Sequence, residues 1–215
     1  MTIATAKHFK HVLSKILSYG LLLESDTKLP SVCGVITGGP LTGSWWSHPL
    51  AQEIFQVNEQ LEDHPDVLIT KLISGKVTFV HRELWPEIVA IGTAKQSWQT
   101  EALSASAQEL LNIVKKAGFL RTDQMAGSSS SKAKKDKPGD IARVLERRLL
   151  IHAEQIHTES GAHAKALETW EHWSKRKSFT PSAIRAEEAK KNLEDRLRKL
   201  NDEFDAKARL PWIVR

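Results

Sequence analysis

The sequence has one cysteine, Cys33, among 215 residues. No intrachain disulfide can form, and a four-cysteine zinc site is excluded. Cysteine usage of this kind suits a reducing compartment, so a cytoplasmic location is expected. Long apolar runs are lacking too. None approaches the ~18 residues of a membrane-spanning helix, and no membrane partner is expected. The segment before Glu24 holds Lys7, Lys10 and Lys15 but no acid and no arginine. A transit peptide would be arginine-rich, so this segment reads as an amphipathic helix with Phe9, Val12, Leu13, Ile16 and Leu17 on one face. The phosphate-loop, dinucleotide-binding, zinc-protease and serine-hydrolase motifs are all missing, and no cofactor is expected. Cys33 lies in an apolar stretch between Val32 and Gly34 and reads as a packing residue, not a nucleophile.

Charge is present but unevenly placed. Residues 1–120 carry 10 Lys/Arg against 11 Asp/Glu, a net of −1, whereas residues 121–215 carry 21 against 15, a net of +6. A basic half attracts polyanions through counterion release and steering. The alternative is a basic helical surface that serves solubility.

Hydrophobic periodicity predicts an α+β chain, predominantly helical. A helix is expected over 4–23. A long irregular connection rich in Gly, Pro, Ser and Thr follows over 28–49, and then a helix carries Leu50, Ile54, Val57 and Leu61. β-Branched and aromatic residues flank Ser74-Gly75 and predict a hairpin over 67–81. A two-residue loop there pairs Leu72 with Val77 and Thr70 with Phe79. It sets Leu68, Leu72, Val77 and Phe79 on one face and Lys71, Lys76 and Thr78 on the other. Two more helices follow, the second closed by Gly118. The Ser- and Lys-rich segment 124–139 reads as a flexible linker or exposed loop, with Asp140 capping a helix that starts at Ile141. Residues 151–170 fit a helix or a second hairpin turning at Ser160-Gly161. A weak internal repeat favours the hairpin: "LISGKVTFVHRELW" and "HTESGAHAKALETW" both set Ser-Gly about ten residues before a tryptophan. A long C-terminal amphipathic helix with Ala189, Leu193, Leu197, Leu200 and Phe204 follows Pro181, and Trp212 is expected to tuck against the body. The expected domains are 1–123, with the N-terminal helices and a first unit, and 140–215, with a second unit and the C-terminal helix.

Two constellations stand out. His152, His157, Glu159 and His163 are dense in potential ligands, yet neither a hairpin nor a helix brings all four to one ion, and no metal site is expected. They read as hydrogen-bonded structural histidines, with a general acid–base role for His157 or Glu159 as the alternative. Trp45 and Trp46 are adjacent in the long connection. In an extended loop they point opposite ways, one anchoring the loop and the other free to stack on a partner such as a nucleobase.

Helix, hairpin and helix in succession, occurring twice with a basic surface, resembles bacterial tandem winged-helix proteins. The group includes winged-helix DNA glycosylases of the AlkZ type, and the likeness rests on element order over roughly 50–177 with "GSWWSHP", "SGKVTFVHRELW" and "HTESGAH". It implies a DNA-binding protein that contacts double-stranded DNA mainly through phosphates. Lys71, Lys76, Arg82, Arg143, Arg147, Arg148, Lys165, Lys175, Arg176 and Lys177 are the expected contacts, joined by Trp45 and Trp46. AlkZ-type enzymes carry catalytic motifs of Gln, an apolar residue and a polar residue. Gln155-Ile156-His157 has that form, so the resemblance implies a base-processing alternative in which Gln155, His157 and Glu159 act. A third reading is an adaptor whose C-terminal helix docks on a protein partner or a second copy.

Overall fold

The computed structural model describes residues 3–125, 138–157 and 163–213. Helix makes up 57% and strand 14%, so the chain is α+β and predominantly helical. It divides into two compact units, Met1–Glu87 with Glu187–Arg215, and Ile88–Ala186.

The first unit opens with α1 (Ile3–Tyr19), which stops earlier than the apolar pattern implies. Gly20 adopts φ 74°, and Leu21–Leu23 then forms the strand β1. Three leucines extend a helical apolar stripe as readily as they fill a buried strand, so the sequence concealed the boundary. The connection expected to be irregular contains a short helix, α2 (Val32–Thr37), capped by the Ser31 hydroxyl, which accepts from the Gly34 amide at 3.0 Å. It also contains a single 3₁₀ turn at Trp45–Ser47. Next come α3 (Ala51–Glu62) and the hairpin β2 (Val67–Lys71) and β3 (Val77–His81). The sheet is antiparallel in the order β1-β3-β2.

The hairpin lies where the sequence put it, but its register differs by one. Lys71 pairs with Val77, Thr70 with Thr78 and Ile69 with Phe79. Ser74 and Gly75 both take left-handed conformations, φ 51° and 69°, inside a 3₁₀ turn. The loop therefore spans Leu72–Lys76, and the longer loop moves Leu68 to the face opposite Phe79. Phe79, Val67 and Leu22 join Val12, Ile16, Val32, Ile54, Val57 and Leu61 in a continuous core. The long helix α9 (Ala186–Glu203) buries Ala189, Leu193, Leu197 and Leu200. These four positions of the expected apolar stripe are covered within the chain, while Phe204 is half-buried. Trp212 tucks back as expected, its indole N–H donating to Glu194 at 2.6 Å.

α4 (Trp85–Ala94) leads into the second unit, which continues with the short α5 (Ser97–Thr100), α6 (Ala105–Ala117), β4 (Phe119–Arg121), α7 (Pro138–Arg147), the hairpin β5 (His152–His157) and β6 (His163–Glu168), and α8 (Trp170–Arg176). Its sheet is antiparallel in the order β4-β6-β5, the same arrangement as in the first unit. In both units a helix ends at a left-handed glycine, Gly20 or Gly118, and a short strand follows. In both, a tryptophan follows the hairpin and donates its buried indole N–H to a carbonyl: Trp85 to Val80 at 3.3 Å, Trp170 to Leu149 at 2.8 Å. Residues 151–170 are thus a hairpin where described. A two-residue loop at Ser160-Gly161 would pair His163 with Thr158; His163 pairs with His157 instead, again a shift of one. The Ser160-Gly161 tip lies outside the described residues, as does most of the 124–139 segment. α7 begins at Pro138, which places Asp140 in its first turn and not at its cap; proline is favoured at such a start because it needs no amide partner there.

Candidate functional site

Adjacent tryptophans in an extended segment would diverge. The 3₁₀ turn stacks them instead, with ring centroids 3.9 Å apart and planes 23° from parallel. Trp45 is 8% exposed and forms the buried base, while Trp46 is 65% exposed and lies over it. Phe55 of α3 flanks Trp46 at 6.0 Å. The result is an aromatic step with one large ring open to solvent, held by a rigid ring beneath.

A carboxylate lies beside the base of the step: the side chain of Glu24, the residue after β1, interacts with the Trp45 indole. The Glu24 backbone is fixed on both sides: its amide donates to Val77 O at 3.0 Å and its carbonyl accepts from the Cys33 amide at 3.0 Å. Asn58 Nδ2 of α3 reaches Glu24 Oε1 at 3.4 Å, while the other Asn58 side-chain atom, Oδ1, is buried with no hydrogen-bond partner. Burial pushes the Glu24 carboxyl above its ordinary 4.5, against the opposing pull of the Trp45 hydrogen bond and the Lys71 charge. A carboxyl set this way keeps its proton more readily than a free glutamate, which suits proton donation. Burial, with the Glu24 charge beside it, also pushes the Cys33 thiol up to about 11, so Cys33 is no nucleophile near neutrality.

A second polar cluster lies in the other unit. Glu168, 2% exposed, accepts from His152 Nδ1 at 3.1 Å, His172 Nδ1 at 2.8 Å and Arg176 Nε at 3.2 Å. Arg176 also reaches Glu154 at 3.2 Å. His152, Glu154 and Glu168 have ligand atoms within 4.8 Å of one another. The Arg176 guanidinium bridges both carboxylates, so the cluster has the form of a structural ion-pair network. His152 also rests against Trp170 and Trp173, with centroids at 5.7 and 6.0 Å.

A family model described as AlkZ related matches residues 6–211, nearly the whole chain. The chain belongs to the AlkZ-related family. No curated protein and no solved structure matches it. Among the described residues, no helix is long and apolar enough to cross a membrane.

The structure distributes the sequence-predicted site residues of this AlkZ-related chain widely. Lys71 lies beside Glu24. Lys76 is bound to Asp26 at 2.7 Å, and Arg82 to Asp66 at 3.4 Å with its guanidinium over the Trp85 ring. The first hairpin's tip is engaged as well: the Ser74 amide donates to Arg209 O at 2.7 Å, and the Arg209 amide donates to the Ser74 hydroxyl. Arg148 is turned inward, donating to the carbonyls of Trp98, Gln99 and Glu101. Lys165 pairs with Glu146 at 3.0 Å, and Arg176 belongs to the Glu168 network. Arg143 pairs with Asp140 at 3.1 Å on the surface, Arg147 and Lys175 are exposed, and Lys177 is half-buried. Gln155 is exposed on β5; His157 follows in the same strand, and Glu159 lies outside the described residues. Sequence reasoning missed Glu24 and Asn58. One signal was available: Glu24 is the first acid of the chain and directly follows three buried leucines.

Proposed function

We propose that this chain is a DNA-binding, base-processing protein built on two winged-helix-like units, with the aromatic step of the first unit as its contact for an unstacked base. The observation that carries this reading is Trp46, two-thirds exposed and stacked on a buried Trp45. An exposed indole on a rigid support loses little freedom when a base stacks on it, and stacking contributes about 1–3 kcal/mol per base. Base-processing enzymes must take the target base out of the duplex and receive it on such surfaces. Membership of the AlkZ-related family supports repair-type chemistry, and the raised proton affinity of Glu24 makes it the proton donor that this reading names. The order helix, short strand, helical segment (α2 and α3 in the first unit, α7 in the second) and two-stranded hairpin supports the winged-helix reading. Exposed cations such as Arg147 and Lys175 add a phosphate attraction that positions without specifying sequence.

The test uses two variants of the full chain. Trp46→Ala weakens binding to DNA containing an abasic or mismatched site by roughly 5–150-fold, the equivalent of one lost stack, and leaves the salt dependence unchanged. Glu24→Gln retains that binding and lowers base release from alkylated DNA by about 10²–10⁴-fold. Because the Glu24 pKa is raised and the acid form acts, activity falls as pH rises through that raised value. Unchanged DNA affinity in Trp46→Ala, or undiminished release in Glu24→Gln, refutes the corresponding role.

A further inference from the structure

The first unit holds a groove of about 400 Å³ that the aromatic step does not use. Its wall on α1 is made by His11, Lys15 and Tyr19, four residues apart in succession and hence on one helical face. Lys28 closes the side, and the ring of Phe204 meets Tyr19 edge-on at 5.8 Å. Lys15 Nζ sits 5.6 Å from the Tyr19 ring centre. No carboxylate lines the groove among the described residues. The Lys28 ammonium is bound by Asp205 at 2.7 Å, outside the lining, so Lys15 and His11 are the groups left to meet an anion. Gly38 and Gly39 form part of the rim, and a Cβ at either would meet nothing within 4 Å, so the rim is open.

We infer that this groove seats a phosphate-bearing nucleotide. The phosphate lies toward Lys15 and His11, and the base lies against the Tyr19–Phe204 wall. Cations beside aromatic walls, without acids, match an anion carried on a flat ring. A volume of about 400 Å³ falls within the range of small-ligand sites. The inference extends the preceding reading by a second contact, and rests on it for the choice of a nucleotide over other aromatic anions. The same chemistry is offered by a free mononucleotide and by a nucleotide within a strand.

The test is an amide-resolved NMR titration of the full chain with four probes: adenosine monophosphate, adenosine, inorganic phosphate and a short 5′-phosphorylated thymidylate oligonucleotide. The expected result is movement of the Gly34, Gly38 and Gly39 amides with the monophosphate, the oligonucleotide or both, while adenosine and inorganic phosphate bind at least about tenfold more weakly. Response to the monophosphate alone identifies a free nucleotide as the source, and response to the oligonucleotide alone identifies a strand. Lys15→Ala weakens the bound probe by about tenfold. Trp46→Ala leaves these shifts intact, which separates failure here from failure of the aromatic step. The inference is overturned if neither nucleotide probe moves these amides at millimolar concentration. It is equally overturned if adenosine or phosphate alone binds as well as the monophosphate, or if Lys15→Ala changes nothing.

Discussion

Replacing Glu168 by Gln tests the buried network of the second unit at a point where the magnitude follows from the structure. Burial alone would raise this carboxyl, but hydrogen bonds from His152, Arg176 and His172 outweigh it and hold the group at about 2, well below its ordinary 4.5. A tenfold change in proton affinity is about 1.4 kcal/mol, so a descent from 4.5 to about 2 corresponds to about 3 kcal/mol of folding stability. The group's folded value is depressed, so that stability is fully present above the unfolded value. It is lost as pH falls from about 4.5 through about 2. The amide of Glu168→Gln keeps one accepting oxygen but turns an NH₂ toward donors on His152 and Arg176, and it leaves the guanidinium beside Glu154 alone. Breaking a buried pair from one side costs about 3–5 kcal/mol, and the partial exposure of Arg176 favours the lower end of that range. Urea unfolding followed by circular dichroism at a series of pH values should show the variant about 3 kcal/mol less stable near neutrality. The difference should close progressively below about pH 4.5 as the parent's carboxylate protonates. A difference that stays constant down to low pH would refute the reasoning, because the lost stability would then not depend on ionised Glu168.

Two further predictions concern packing and reactivity. In Gly92→Ala the new Cβ would lie 2.3 Å from Trp170 Cδ1 and 2.4 Å from Nε1. The ~1 kcal/mol gained in helix propensity is then outweighed by overpacking of about 1–3 kcal/mol and by disturbance of the Trp170–Leu149 hydrogen bond. A thermal melt should show a lower midpoint, and a variant melting at or above the parent contradicts the contact. Cys33, buried and pushed up to about 11, should stay unmodified by a thiol-specific reagent in the native protein and react only on unfolding; rapid native-state modification would contradict its burial.

The legible part of the fold was its local part. β-Branched residues around Ser74-Gly75 were enough to place the first hairpin, because strand propensity and turn chemistry act over a few residues, while the Ser-Gly repeat before Trp85 and Trp170 only favoured a second hairpin over a helix. The register was not legible. It depends on whether Ser74 joins Gly75 in the left-handed region, and a backbone choice at a non-glycine residue leaves little mark in composition. The same limit hid β1, since Leu21–Leu23 satisfies a helix and a buried strand equally until Gly20 turns the chain. The candidate site was least legible. Trp45 and Trp46 announced themselves, yet the group that gives them chemical meaning is Glu24, with Asn58 and Lys71 arriving from α3 and the end of β2. Their neighbourhood exists only after β1 has paired with β3 and α2 has returned its Cys33 amide to the Glu24 carbonyl. The basic residues show the reverse case. Arg148 and Arg176 were expected phosphate contacts because charge reads as surface; in the fold Arg148 donates to backbone carbonyls, and Arg176, still partly exposed, pairs with Glu168 and Glu154. A guanidinium carries five donors in a rigid plane, so a fold with carbonyls or carboxylates left to satisfy takes it inward. Arg147 and Lys175 stay exposed, but the supported aromatic surface is the more specific feature, and this is why the proposed function rests on Trp46 and Glu24 rather than on the cations that first suggested a polyanionic partner.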